Sequence, residues 1–452
     1  MGKLFGTDGI RGVVNMGLDA ELAYKVGLAA ALVLTEEKKG ERPVFTIGKD
    51  TRISCDLLKG ALVAGLCSAG ADILDLGTIP TPAVAWATVD SGADAGIVIS
   101  ASHNPFEHNG IKIFNGNGFK LSDALEERIE ETILTGTNKI PRQTHEDIGK
   151  VSYVAEKVSD SYIDHLVSTV ESDLCGLRIL VDCANGASYT TAARLFDRFP
   201  NLQTDVINAD PDGVNINASC GSTHTESLAA MVKAGGYDIG LAFDGDADRC
   251  LAVDEKGRVV DGDQIIAVCG RALKEKGALK GNAVVATVMS NLGLHLFARE
   301  QGISLVCTDV GDRNVLERML EDGYVLGGEQ SGHIIFLEHA TTGDGQLAAL
   351  QLLSIVHESG KKVSALTSVC KQYPQVLINV PVADARAKAV LMASPELQKA
   401  VGEVEKELSG EGRILVRPSG TESLIRVMVE AKTSSAAKEI GENLANMIKN
   451  LQ

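Results

Sequence analysis

Gly96-Ile97-Val98-Ile99-Ser100-Ala101-Ser102-His103-Asn104-Pro105 begins as an apolar run and ends in small and polar residues. The run reads as a buried strand, and the proline forbids both a ladder and a helix interior beyond it. The strand tip is a rigid mount for Ser100, Ser102, His103 and Asn104. Asn109-Gly110-Ile111-Lys112 then adds a turn and an ammonium group. A serine that handles phosphate needs this company: a proton acceptor, hydrogen-bond donors and a cation. The plainer alternative is a polar turn whose Ser and Asn bond the local backbone. Residue types alone do not choose between Ser100 and Ser102.

The same order of features recurs along the chain. Upstream of the serine strand come a helix over Leu18 to Leu34, strand Val44 to Ile47, a helix from Ser54 to Ala69 and strand Ile73 to Leu76. A second pass has strands at Arg178 to Asp182, Asp205 to Ile207 and Asp238 to Phe243. It ends in Asp244-Gly245-Asp246-Ala247-Asp248-Arg249. A third has strands at Ala283 to Val288, Leu305 to Val306 and Tyr324 to Leu326. It ends in Gly327-Gly328-Glu329-Gln330-Ser331-Gly332-His333. The pattern is a threefold internal repeat of an α/β unit. Ligands of such sheets gather at the carboxyl ends of strands, so the three polar loops are candidates for one shared cleft. A different, α+β unit closes the chain, with a polar hairpin loop at Arg417-Pro418-Ser419-Gly420-Thr421-Glu422.

Bulk composition narrows the function. A length of 452 residues suggests about three domains. A net charge of −17 argues against a general nucleic-acid surface and repels anions at long range. An anionic substrate therefore needs local Arg and Lys, or a metal ion. No apolar run reaches membrane-spanning length and the N-terminus lacks a signal-peptide pattern, so no membrane partner is expected. Nine scattered cysteines without a C-x-x-C pair suit reduced thiols in a cytoplasmic protein.

Asp244, Asp246 and Asp248 present hard oxygen ligands at alternate positions, which suits Mg²⁺ or Ca²⁺. An EF-hand loop is the rival reading, and Glu255 does occupy its twelfth position. Its sixth position, however, is Arg249 where the sharp turn needs Gly, and both flanks read as strands. Arg417, Ser419, Gly420 and Thr421 offer a guanidinium, hydroxyls and backbone N–H groups for a phosphate nest, although a plain hairpin is the structural alternative. Gly328-Glu329-Gln330-Ser331-Gly332-His333 has the acceptors and donors to hold sugar hydroxyls, although a glycine-rich turn with a satisfied histidine is the structural alternative. Together the four loops point to phosphoryl transfer.

On Phe5 to Gly12, Ile99 to Pro105, Asp244 to Arg249, Gly328 to His333 and Arg417 to Glu422, the chain resembles the α-D-phosphohexomutases over its whole length. The Gln330 form of the third loop is similar to the family's bacterial glucosamine branch. The resemblance implies three α/β domains and a small C-terminal α+β domain around a central cleft, at 1–155, 156–255, 256–370 and 371–452. It implies a mutase that interconverts glucosamine 6-phosphate and glucosamine 1-phosphate and feeds UDP-N-acetylglucosamine and cell-wall synthesis. It selects Ser102 as the phosphoserine and places Mg²⁺ on Ser102, Asp244, Asp246 and Asp248. It puts the sugar on Glu329 and Ser331, and the non-reacting phosphate on Arg417, Ser419, Gly420 and Thr421. Arg11, His103, Lys112 and Arg249 match charged positions near the reacting groups. By analogy Lys112 is the first candidate general base and His103 the second. Glucosamine 1,6-bisphosphate is the implied activator, a phosphosugar the only small-molecule partner, and a homodimer is left open. The rivals are a glucose or mannose phosphate substrate, a phosphatase, and a sugar-phosphate-binding regulator. Cys55 and Asn314 depart from the family pattern and are expected to affect only local packing.

Overall fold

A computed structural model describes residues 4–6, 8–36, 41–419 and 423–452. The chain forms two compact units, one of residues 1–288 with 304–368 and one of 289–303 with 369–452.

The first unit carries the repeat. In its first sheet the strands His108–Asn115, Ala95–Ile99, Val44–Lys49 and Asp72–Thr78 are successive neighbours. Ile10–Val13 and Val151–Tyr153 extend the two ends. The second sheet sets Cys250–Asp254, Ile239–Phe243, Arg178–Asp182 and Gln203–Ile207 in the same order. The third sets Ile334–Phe336, Leu326–Gly328, Ala283–Thr287 and Ser304–Thr308 likewise. In every sheet the last three of these pair in parallel and the first is antiparallel. The threefold α/β repeat therefore stands. Each candidate loop joins the third strand of its repeat to the antiparallel fourth.

The central strands are apolar but for Thr287 because helices cover both faces. Ala95–Ile99, Ile239–Phe243 and Ala283–Thr287 are buried throughout. Asp19, Asp261 and Asp344 start the helices Ala20–Leu34, Gly262–Glu275 and Gly345–Ser359 by accepting an amide of the first turn. Ala20–Leu34 packs against Cys55–Ser68 through Gly27 and Gly65. A Cβ on Gly65 would sit 2.2 Å from the Tyr24 carbonyl oxygen, so the two backbones touch only without side chains there.

One local expectation changes. Asn109-Gly110 is not a turn but part of the strand His108–Asn115, which pairs with both Ile10–Val13 and Ala95–Ile99. Gly110 is needed because a Cβ would lie 2.6 Å from the Ser100 carbonyl oxygen.

The second unit is an antiparallel sheet of Gln375–Pro381, Leu424–Glu430 and Arg413–Pro418. Val380, Ile425, Val427 and Ile448 form its core with the final helix, Ser434–Asn450. The helix Leu292–Gln301 belongs to it. Buried Glu430 accepts the Leu292 amide at 2.9 Å and Asn291 Nδ2 at 3.2 Å, with Arg413 Nε 3.2 Å away. Among the described residues no helix is long and apolar enough to cross a membrane.

Candidate active site

The structure separates the two serines. Ser100 Oγ donates inward to Asp50 Oδ2 at 2.7 Å and accepts the Ser102 amide at 2.9 Å. Ser102 Oγ turns the other way and donates to Asp244 Oδ2 at 2.5 Å. His103 Nδ1 lies 3.3 Å from Ser102 Oγ. Ser102 has φ +51°, a left-handed conformation that a side chain adopts at a cost. The loop is held in it from several sides. Arg52, fully buried and paired with Asp50 at 2.8 Å, donates to the carbonyls of Ser102, Pro105 and His108. Asn217 Nδ2 reaches the Ser102 carbonyl from the second repeat at 2.9 Å. Gly245 permits that approach, since a Cβ there would stand 2.6 Å from the same carbonyl oxygen.

Asp244, Asp246 and Asp248 are buried, and one ligand atom from each lies within 4.8 Å of the others. Protein donors occupy one side of the trio. Asp244 Oδ1 accepts the Arg249 amide at 3.2 Å, and Asp246 Oδ2 accepts Thr81 Oγ1 at 2.7 Å and Lys112 Nζ at 2.9 Å. Oδ1 of Asp246 and Oδ1 of Asp248 are buried without a hydrogen-bond partner. Buried carboxylate oxygens left bare suit a hard cation, so this donor set could hold a metal ion.

The charges divide the trio. Burial, then the charges of Asp248 and Asp246, push the Asp244 carboxyl well above its ordinary range. Burial acts on Asp248 in the same sense, but Lys112, His333 and Arg249 hold it well below. Burial disfavours the Lys112 ammonium, yet Asp246, Asp8 and Asp248 outweigh it and keep the group protonated. Burial, aided by Arg249 and Arg11, lowers His103 to about 4.

A cavity of about 390 Å³ opens beside the trio, lined by Arg11, Asp248, Arg249 and Glu329 among others. Arg11 is paired with Asp8. Lys120 bridges Asp8 Oδ1, at 2.6 Å, to Asp312 of the third repeat. In the third loop Glu329 accepts the Gly311 amide at 3.2 Å, and Ser331 Oγ is buried without a partner. Gln330 turns away from the cavity and donates to Asp261 at 3.0 Å. Backbone pairing of Arg249 with His333 stitches the second loop to the third.

Thus Ser102, His103, Lys112, Arg11, Arg249 and the three aspartates converge in the first unit, with Glu329 and Ser331 in the neighbouring loop. Arg417 and Ser419 lie in the second unit, where the Ser419 amide bonds the Leu424 carbonyl at 3.0 Å and its carbonyl accepts Lys388 Nζ at 2.5 Å. Gly420 and Thr421 fall outside the described residues. Sequence reasoning missed Asp50, Arg52 and Asn217 behind the serine loop, and Asp8, Lys120, Asp312 and His333 beside the cavity. The only signal was charge next to glycine at Asp8 and Asp312. Of the two departures, Cys55 Sγ donates to Asp50 at 3.1 Å and Asn314 lines the cavity.

Known protein families match the chain along its length. Models of phosphoglucomutase/phosphomannomutase α/β/α domains I, II and III match residues 2–139, 160–257 and 261–373. The model of the family's C-terminal domain matches 377–447. The chain belongs to the phosphoglucomutase/phosphomannomutase family, and is an isomerase that works by phosphoryl transfer. It is 56% identical over 432 residues to a phosphoglucosamine mutase of Acetivibrio thermocellus, covering 96% of this chain and 95% of that one. It is 53% identical to a phosphoglucosamine mutase of Clostridium novyi, over 99% of both. A family member of solved structure from Burkholderia thailandensis superposes with a TM-score of 0.82 at 24% identity, over 99% of this chain and 97% of that one.

Proposed function

We propose that the chain interconverts glucosamine 6-phosphate and glucosamine 1-phosphate through a phosphoserine at Ser102 and a sugar bisphosphate. The observation that carries this is Ser102 itself, held in a costly conformation with its hydroxyl 2.5 Å from a carboxylate of the metal-type loop. A free sugar hydroxyl attacks the phosphoserine phosphorus. Its O–P bond forms as the Ser102 O–P bond breaks, the hydroxyl proton passes to a base, and the departing Ser102 Oγ takes up a proton. The bisphosphate turns over, Ser102 Oγ attacks the other phosphorus and gives that proton back to a base, and the sugar oxygen released there is protonated in its place. His103 is the better base of the two candidates. Its ring nitrogen is 3.3 Å from Ser102 Oγ and its imidazole is neutral, whereas Lys112 stays protonated among three carboxylates. This reverses the order expected by analogy. Lys112, Arg11 and Arg249 then steady the charge of the transferring group.

Asp244, Asp246 and Asp248, with an oxygen on Ser102, would hold Mg²⁺. The ion would neutralise phosphoryl oxygens as charge develops on them. Glu329 and Ser331 hold sugar hydroxyls, and Arg417, Ser419, Gly420 and Thr421 hold the resting phosphate. Glucosamine 1,6-bisphosphate restores enzyme that has lost its phosphate. The setting is a cytoplasmic route to UDP-N-acetylglucosamine, with a homodimer as the assembly to look for and domain limits near 155, 255 and 370. The test is a coupled assay of glucosamine, glucose and mannose phosphates, with and without bisphosphate. A preference for glucose or mannose phosphate overturns the substrate. Release of inorganic phosphate without isomer makes the enzyme a phosphatase.

A further inference from the structure

Pro80-Thr81-Pro82 opens the helix Thr81–Asp90, and the mechanism above gives it no task. A threonine between two prolines has little backbone freedom, because each ring fixes its own φ and restricts the residue before it. The amide groups of this helix start are all accounted for. Pro82 has none, and those of Ala83 and Val84 bond the Pro80 carbonyl at 3.1 and 3.3 Å. The Thr81 amide instead crosses to the second repeat and donates to the Asp246 carbonyl at 2.9 Å. Its hydroxyl donates to Oδ2 of the same residue at 2.7 Å, and Thr81 is only 1% exposed. Lys112 Nζ, 2.9 Å from that oxygen, supplies a second donor. Both donors fall on one carboxylate oxygen, and the other, Oδ1, is buried and bare.

We propose that Thr81 is a metal-positioning residue: from the first repeat it fixes the rotation of the Asp246 carboxylate, so that Oδ1 faces the cation. The inference rests on the metal reading of the aspartate trio. Partners that orient ligands in this way typically change metal affinity by about 10–100-fold when removed. Lys112 cannot replace Thr81. Its ammonium is a point charge shared with Asp8 and Asp248, which neutralises the carboxylate but does not fix its plane.

The test uses the full chain and the metal alone, with Mg²⁺ titrated by calorimetry and Mn²⁺ followed by electron paramagnetic resonance. Thr81→Val keeps the shape and loses the hydroxyl, and is expected to weaken both ions about 10–100-fold. Thr81→Ser restores the donor and is expected to stay within about threefold of the parent, well inside that range. A structural role would not make affinity follow the hydroxyl in this way. If the parent binds and Thr81→Val binds equally well, Thr81 has no positioning role and the metal site stands. A Thr81→Ser variant as weak as Thr81→Val also overturns the role. A parent that binds neither ion overturns the metal site together with the role.

Discussion

Replacing Lys112 with methionine removes a cation from the middle of a buried acidic cluster. Its Nζ lies 2.9 Å from Asp246, 3.3 Å from Asp8 and 3.4 Å from Asp248, and the side chain is 2% exposed. Methionine fills similar space and carries no charge. Breaking a buried ion pair from one side costs about 3–5 kcal/mol, because the partner is left charged and unsolvated. The lower end applies here. Thr81 still holds Asp246, Arg11 and Lys120 still face Asp8, and His333 remains near Asp248. At about 2.1 cal/mol/K of unfolding entropy per residue over a unit of roughly 350 residues, a loss of about 3 kcal/mol converts to roughly 4 °C in melting temperature. The assay is calorimetric or fluorescence melting of parent and variant, each with and without Mg²⁺. Any cation bound by the trio supplies some of the missing charge, so Mg²⁺ should raise the variant's melting temperature more than the parent's. A loss under about 1 kcal/mol, the scale of an exposed pair, would refute the reasoning. An equal Mg²⁺ shift in both proteins would show that the ammonium and the metal do not act on the same carboxylates.

Further outcomes are expected elsewhere. Intact-mass analysis of active enzyme should find one phosphate, on Ser102, and Ser102→Ala should lose turnover while still binding sugar phosphate; a fully active variant removes the phosphoserine from the mechanism. Arg417→Ala should lose roughly 1.5–3 kcal/mol of phosphate grip, release bisphosphate more often per turnover and depend more on added bisphosphate. Release and dependence equal to the parent would make that loop structural. His103 is held neutral, with its pKa lowered from 6.5 to about 4. The unfolded chain therefore takes up this proton first, and the contribution of His103 to stability is present above pH 6.5 and lost as pH falls through about 4. His103→Gln should flatten that part of the stability profile, and an unchanged slope would mean the ring is not held neutral.

The repeat was legible because each unit writes the same punctuation: apolar strand, glycine, then a cluster of polar residues. Asp244, Asp246 and Asp248 could be read as ligands because alternation put three like charges where only a cation reconciles them. Ser102 could not be separated from Ser100, since both follow the strand within three residues and only the backbone decides which hydroxyl faces the aspartates. The left-handed turn at Ser102 comes from Asp50, Arg52 and Asn217, which are remote in sequence and carry no local pattern. His108–Asn115 was hidden for a related reason. Asn109-Gly110 has turn composition, and only crowding from two neighbouring strands makes glycine fit a ladder there. Gln330, whose form of the loop is similar to the glucosamine branch, braces Asp261 at the start of a helix, a task that its sequence neighbours do not announce.

The inward turn of Ser100 has a consequence for what the molecule can store. Two serines stand two residues apart on the loop proposed to be phosphorylated, yet one hydroxyl is committed to Asp50 and only the other meets the aspartate trio, at Asp244. A phosphoryl group held at the trio has only that oxygen beside it, so the loop has a capacity of one. Each molecule is then either charged or discharged, with no doubly loaded or misloaded form between them. The activity of a population becomes a count of charged molecules, and it fades stepwise, one molecule at a time, as intermediates escape.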